Sequence, residues 1–344
     1  MKHLAHGPDA GISRCPFFAA LTMMGAGMIA AGAVAGGAFG ADEVTRRFAA
    51  EVTHRFADEV THRFLAFGGQ TRIVEADGKT SWTFPESSRD GQMLENGHIL
   101  LALSKSDARP HGAVVEVVPD PSGKGGKTVF EFAGTQSEVN TAQRLPNGNT
   151  VLVEAGEKPR IIEVDAKGAI VRETPIKSQT SNHHMESRMT RALPNGNYLV
   201  PQLLDKVVRE YTPKGDIVWE AKTPEEPKDS WPFTAIRLAD GNTLVTCTHG
   251  NMVVEFDAKG VIVWRLTNAD FDRPLLNDPC GAHRLPNGNT VICSYAIGDG
   301  GTKLLEVTRE KKVVWTFVEP EGPGIHEVQV LATDGTPLTG QPLR

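Results

Sequence analysis

A short turn recurs through this sequence at nearly constant spacing, and that recurrence limits the fold more than any other feature. "LPNGNT" begins at Leu145 and again at Leu285, and "LPNGNY" begins at Leu193. Looser copies begin at Leu94 ("LENGHI"), Leu238 ("LADGNT") and Ala332 ("ATDGTP"). Their glycines, at 97, 148, 196, 241, 288 and 335, follow one another at intervals of 51, 48, 45, 47 and 47 residues. A fixed period in the mid-forties implies one supersecondary unit per repeat.

Each unit holds four β-type segments. A strand, A, leads into the turn, and a β-rich strand B follows it ("TVLVEA", "TLVTCT", "TVICSY"). Strand C ("RIIEVD", "MVVEFD", "KLLEVT") ends in a second tight turn such as "DAKG", and strand D follows ("DIVWE", "VIVWR", "VVWTF"). Asn-Gly and Asp-Gly supply the positive φ that tight hairpins require. Stacked four-stranded meanders of this length are propeller blades. The sequence thus predicts an all-β chain, a six-bladed β-propeller of four-stranded antiparallel blades. The last blade is expected to join both termini, with A and B from "HEVQVLATDGTPLTG" and C and D from Thr71 to Phe84. Such closure removes an open sheet edge. With 35 Gly, 22 Pro and 6% aromatic residues, the composition agrees with a turn-rich β chain.

Three segments are expected. Residues 1–41 have the pattern of a signal peptide: Lys2 and Arg14, then a long uncharged Gly/Ala-rich apolar run that ends before Asp42. Cleavage is expected near Gly40 or Ala41, with a retained membrane anchor as the alternative. Residues 42–66 are expected to be a linker carrying an eight-residue tandem repeat, "EVTRRFAA EVTHRFAD EVTHRFLA", in which His54 and His62 have no role. Residues 67–344 form the propeller. The expected location is secreted or periplasmic. Cys247, Cys280 and Cys293 remain beyond the signal, an odd number that implies no disulfide framework. A net charge of −6 argues against a nucleic-acid footprint.

The strand scheme puts the A–B and C–D turns at one end and the long D–A and B–C loops at the other. Long loops on a rigid scaffold usually carry binding and catalysis. Six of the seven histidines beyond the linker belong to that end. His184, His283 and His326 precede or begin the innermost A strands of three blades, so they are candidates to converge at the channel mouth. Arg188 is the candidate anion clamp, because a guanidinium fork pairs with oxyanions. His183, Arg89, Asp90, Asn140, Trp231 and Glu327 occupy comparable places and are candidate substrate-binding residues. His111 and His249 read as solvated loop residues. Trp82, Trp219, Trp264 and Trp315 recur on D strands and read as blade packing.

"HHMESRMTRALPNGNYLV", "GDIVWE" and "GVIVWR" resemble the bacterial arylsulfotransferase-like propellers, which are related to propellers with pyrroloquinoline quinone-like repeats. The resemblance implies a six-bladed propeller of the bacterial envelope in which a histidine carries the sulfuryl group. It makes His184, His283 and His326 the histidine candidates, with Arg188 at the anion.

Three functions follow as expectations. The first is a histidine-dependent sulfuryl or related group transferase acting on an anionic small molecule. The second is a non-catalytic exported propeller that binds carbohydrate or protein. The third is a metal-dependent, lyase-like propeller with a divalent ion on His184, His283 and His326; the first two require no metal or cofactor. The expected partner is a small molecule or carbohydrate, with no nucleic acid and no membrane after signal cleavage, and the chain is expected to be a monomer.

Overall fold

The structure, a computed structural model, describes residues 60–296, 301–319 and 322–344. The signal segment, the first two octapeptide copies and His54 lie outside the described residues. Among the described residues no helix is long and apolar enough to cross a membrane.

Six antiparallel sheets form the blades of the propeller. Blade 1 pairs Ser88–Met93, Ile99–Leu103, Ala113–Pro119 and Gly126–Ala133 in that order, as strands A to D. Blade 2 runs from Glu138–Arg144 through Thr150–Ala155 and Arg160–Val164 to Ile170–Pro175. Blade 3 has a two-residue A strand, Arg191–Ala192, followed by Tyr198–Gln202, Val207–Tyr211 and Ile217–Lys222. Blade 4 comprises Trp231–Arg237, Thr243–Thr248, Met252–Phe256 and Ile262–Thr267, and blade 5 comprises Pro279–Arg284, Thr290–Ser294, Thr302–Val307 and Val313–Val318. The A strands of blades 4, 5, 6 and 1 contact one another in turn around the axis.

Blade 6 closes the ring, but not as the turn pattern predicts. Its A strand is Ile325–Thr333, and its B strand is His62–Gly68, from the third octapeptide copy. Thr71–Val74 and Thr80–Phe84 supply C and D. The C-terminal segment thus gives one of the four blade strands rather than two, and Thr336–Pro337 only folds back along the free, axis-side edge of strand A. The propeller begins earlier than the expected linker boundary. The third copy differs from the second where "FAD" becomes "FLA", and Phe64 and Leu65 are buried there. His62 is buried too, so it does have a role: Nε2 lies 2.7 Å from Glu306 of blade 5 and Nδ1 3.1 Å from Thr333.

Strand position explains composition. Strands B and C are covered on both faces by neighbouring blades, and Ile99–Leu103 ("ILLAL") is buried at every position. Each such side chain contributes about 1.5–3 kcal/mol on burial. D strands lie at the outside and alternate, as in Ile217–Lys222 and Ile262–Thr267. Their tryptophans tie blades together. Trp219 Nε1 donates to Ala258 O at 3.1 Å and Trp264 Nε1 to Arg309 O at 2.9 Å, each reaching the next blade's C–D turn.

A buried glutamate on strand C accounts for the "PNGN" turn. The first Asn accepts the backbone N–H two residues on, as Asn147 does from Asn149 at 3.0 Å. Gly148, at φ 87°, makes the turn. The second Asn then donates to the strand C carboxylate: Asn149 to Glu163 at 2.6 Å, Asn197 to Glu210 at 2.7 Å, Asn242 to Glu255 at 2.8 Å, and Asn289 to Glu306 at 2.7 Å. In blade 1, His98 takes that place, 2.6 Å from Glu116. A cation from the next blade often completes the site, as Arg144 does at Glu116 (2.6 Å) and Arg237 at Glu210 (3.0 Å).

Glu210→Ala would leave Asn195, Asn197 and Arg237 without their carboxylate, and is expected to cost about 3–5 kcal/mol in denaturant unfolding. Glu220→Ala, which removes a surface pair with Arg209, should cost less than about 1 kcal/mol. Equal losses would remove the buried carboxylates from the account of stability. Burial opposes ionisation of Glu116 and Glu306, but hydrogen bonds from His98 and Arg144, and from His62 and Asn289, hold both below the ordinary 4.5. Their contribution is complete above about pH 4.5 and is lost as pH falls through the folded values. The unfolding midpoint should therefore drop in that acid window, less steeply in Glu306→Gln.

Candidate active site

The A strands do not run regularly into the channel mouth. The A–B ladder skips Arg89 in blade 1, Asn140 in blade 2, Phe233 and Thr234 in blade 4, and Cys280 and Gly281 in blade 5. In blade 6 the same break falls at His326. A bulge re-aims the side chain it displaces and is common beside active sites. Blade 3 reaches a similar end differently. The loop after Ile176 makes one 3-10 turn at His183–Met185 and then runs beside Tyr198–Gln202 before its short A strand begins. That irregular stretch carries Arg188.

Arg89, Arg188, Phe233, Cys280 and His326 thereby line one cavity of about 350 Å³ at the long-loop end, with His184, Met185, Leu203, Trp231, His249, Asp278 and Tyr295. This volume suits a small molecule. One wall is aromatic: the His326 ring stacks on Tyr295 at 4.2 Å and lies parallel to Phe233 at 6.1 Å. Charged groups adjoin this wall, with the Arg188 guanidinium 5.9 Å from the Phe233 ring centre. Glu138, the first residue of the blade 2 A strand, is 1% exposed and faces Arg89 at 2.9 Å, His184 Nδ1 at 3.2 Å, and Arg188 at 3.9 Å. Lys105 approaches the same carboxylate at 3.9 Å.

One carboxylate thus serves several cations, and the titrations reflect the imbalance. Burial works against ionisation of Glu138, but the hydrogen bond to His184 and the charges of Arg89 and Arg188 outweigh it and hold the group below its ordinary value. Arg188, 3% exposed, is pushed down to about 9, by burial first and by Arg89 second. His326 is lowered to about 3, again by burial and then by Arg89, Arg188 and His184, so its ring is neutral at physiological pH. His184 Nδ1 faces both the Glu138 carboxylate at 3.2 Å and the Arg89 guanidinium at 3.4 Å; in the tautomer whose Nδ1–H donates to Glu138, Nε2 carries the lone pair. The His184 side chain is 56% exposed, so that atom is accessible.

The sequence-based residues divide. His184, His326, Arg188, Arg89 and Trp231 share the cavity. His283 does not. It is buried, its Nδ1 accepts the Val330 N–H at 3.0 Å, and it lines a separate small cavity with the 338–343 segment. The three histidines therefore have no common centre, and among the described residues no group of three His, Cys, Asp or Glu side chains could hold a metal ion. His183 turns away, toward Glu186 at 3.1 Å and Glu157 at 3.3 Å, into a wider groove of about 840 Å³ between the B–C loop of blade 2 and the next D–A loop. The smaller cavity is the better candidate, because blades 1, 4, 5 and 6 and the blade 3 loops converge on it.

Asp90, Asn140 and Glu327 are fully buried and do not line the cavity. Asp90 pairs with Arg191 at 2.8 Å and Arg344 at 2.9 Å, and Glu327 lies 3.6 Å from Arg191. Burial and the neighbouring Asp90 push the Glu327 carboxyl up, whereas the two arginines keep Asp90 ionised against its own burial. Asn140 donates to Ser187 O at 3.1 Å, joining blades 2 and 3. These residues brace the channel. Glu138 was missed by sequence reasoning, although it stands two residues before Asn140 in "SEVNT". Tyr295 and Phe233 carry no motif that marks them, and the sequence offers His249 only as a solvated loop residue and Asp278, in "NDPCGAH", only as a candidate extra metal ligand.

No family model matches this sequence, and no curated protein does. Solved structures do match. A protein of unknown function from Bacteroides caccae has a TM-score of 0.67 at 24% identity, over 78% of this chain and 98% of that one. A catalytically inactive histidine-to-alanine variant of virginiamycin B lyase from Staphylococcus aureus, with quinupristin, has a TM-score of 0.51 at 16% identity, over 78% of each chain. The periplasmic gluconolactonase of Pseudomonas aeruginosa has a TM-score of 0.51 at 13% identity, covering 76% of this chain and 80% of that one. None of these is described as an arylsulfotransferase, and likeness at such identities shows the fold alone: this chain is similar to propellers that include a lyase and a lactonase.

Proposed function

We propose that the cavity holds a small amphipathic anion, an aromatic sulfate ester or a close analogue, and that His184 takes up its anionic group for transfer. The observation that carries this reading is the charge imbalance around Glu138. Arg188 is buried on the cavity wall, where it donates to Ser187 O at 2.8 Å and lies over the Phe233 ring; its nearest carboxylate, Glu138, is 3.9 Å away and already engaged by Arg89 and His184. A buried guanidinium so poorly compensated is costly, and an oxyanion between Arg89 and Arg188 would relieve that cost. The aromatic wall of Phe233, Tyr295 and Trp231 suits the rest of the molecule.

In this reading the His184 Nε2 lone pair attacks sulfur, the bond from sulfur to the ester oxygen breaks, and a phenolate departs. Arg89 and Arg188 face the sulfuryl oxygens, and Glu138 stabilises the positive charge that forms on the His184 ring. His326 offers the leaving oxygen a neutral hydrogen bond. The reading includes export, with removal of the N-terminal segment, and function as a monomer. A metal on His184, His283 and His326 is not part of it.

Two measurements test the proposal. Sulfate should raise the thermal midpoint of the wild type more than that of Arg188→Met, since a ligand at about 100 times its Kd adds about 2.7 kcal/mol. An equal rise in both would remove the anion site. With 4-nitrophenyl sulfate and a phenolic acceptor, the wild type should release 4-nitrophenol, and His184→Ala should lose about 100-fold or more. Binding without release would make this a non-catalytic binding propeller.

A further inference from the structure

The 338–344 segment runs across the A strands of several blades. The Leu338 N–H donates to Leu331 O of blade 6 at 2.9 Å, and the Arg284 N–H of blade 5 donates to Leu343 O at 2.8 Å. Gln92 of blade 1 donates to the Gln341 side chain at 3.2 Å. Thr339, Gly340, Gln341 and Leu343 are exposed. The segment also lines, with His283, Gln329 and Val330, a cavity of about 130 Å³. Within 338–344 only Arg344 is buried, at 3% exposed.

The Arg344 guanidinium meets a set of partners that match its shape. Nη1 donates to Asp90 Oδ1 at 2.9 Å, and Nη2 donates to Gly91 O. The cation lies over the Phe67 ring, 5.6 Å from its centre. Gly91 permits this approach, because a Cβ there would collide with the Phe67 ring. Arg191 donates to both oxygens of Asp90, at 2.8 and 3.0 Å, and from Nε to Arg344 O at 2.8 Å. Glu327, also buried, lies 3.6 Å from Arg191. Withdrawal of Arg344 would therefore leave two buried carboxyl groups beside one arginine. A planar fork reaches a carboxylate and a carbonyl together, which a compact ammonium does not. A desolvated guanidinium also gains from an aromatic face.

We infer that this part of the channel is a binding site for small alkylguanidinium compounds, and that Arg344 fills it as an internal ligand on a displaceable segment. The inference is independent of the group-transfer reading above, since it uses none of the residues that line that cavity. A ligand must offer a positive charge, two N–H groups in one plane and a slim alkyl stem. Asp90 Oδ1, Gly91 O and the Phe67 face then receive it as they receive Arg344. The internal ligand fits imperfectly, because its Nε is buried without a hydrogen-bond partner. It is carried by a segment exposed over most of its length, so it can leave without unpairing a blade strand.

Ethylguanidinium carries the atoms that Arg344→Ala removes, so it is the probe. Arg344→Ala should unfold at a lower midpoint than the wild type. Millimolar ethylguanidinium should restore that midpoint saturably, and ethylammonium should not. Adding Asp90→Asn to Arg344→Ala should abolish the difference between the two compounds. Displacement is read in the wild type, by hydrogen exchange at the Arg284 amide, whose acceptor belongs to the segment. Ethylguanidinium should speed that exchange, at about tenfold higher concentration than half-restores Arg344→Ala, because a tethered group acts at millimolar effective concentration. Restoration of Arg344→Ala no better by ethylguanidinium than by ethylammonium overturns the site. Unchanged exchange at Arg284 makes Arg344 a fixed structural residue and overturns the internal ligand; that measurement does not depend on the variant folding.

Discussion

The strand C carboxylate is the interaction on which the rest of this propeller depends. In each of blades 1 to 5 a glutamate is buried at one level: Glu116, Glu163, Glu210, Glu255 and Glu306. It receives the side chain of its own blade's turn, and in most blades a cation from the blade that follows. Arg309 reaches Glu255 in this way, and the imidazole of His62 takes the corresponding place at Glu306. Turn geometry within a blade and alignment between blades are thus fixed by the same group. A buried carboxylate is stable only when every lone pair is used, so these sites tolerate little displacement. That rigidity at the short-turn end allows the other end to depart from regular pairing.

Closure has the same logic. Blade 6 lacks a strand C glutamate equivalent, since Ile73, paired with Trp82, stands at that position. It is held by a three-to-one division of strands between the two ends of the described chain, and by His62 reaching back to blade 5. The His62 ring also packs edge-on against Trp315 at 4.6 Å. A residue in a short tandem repeat therefore becomes a structural ligand of the ring. Its neighbours Phe64 and Leu65 enter the core because this copy is paired with Ile325–Thr333.

At the long-loop end, bulges replace regular pairing and turn selected side chains toward the axis. The cavity they make gathers Arg89, Arg188 and His184 around Glu138, and includes Trp231, His249 and Asp278 in its lining.

The sequence by itself determined the number of blades, the A-to-D order within each, the end at which the long loops gather, and the membership of His184, His326, Arg188, Arg89 and Trp231 in one region. It could do so because turns and strand periodicity are local and are repeated six times. It misassigned one strand of blade 6, since a short run such as "HRFLAFG" has no turn of its own to mark it. Only the tertiary structure decided which way each channel residue points. Adjacent residues diverge there: Arg89 lines the cavity and Asp90 braces the channel, His184 meets Glu138 and His183 meets Glu186. In a strand neighbouring side chains point in opposite directions, and one bulged residue changes the assignment. His283 entered the interior for that reason, and the Asp90–Arg344 pair came into view only once two segments distant in sequence were brought together.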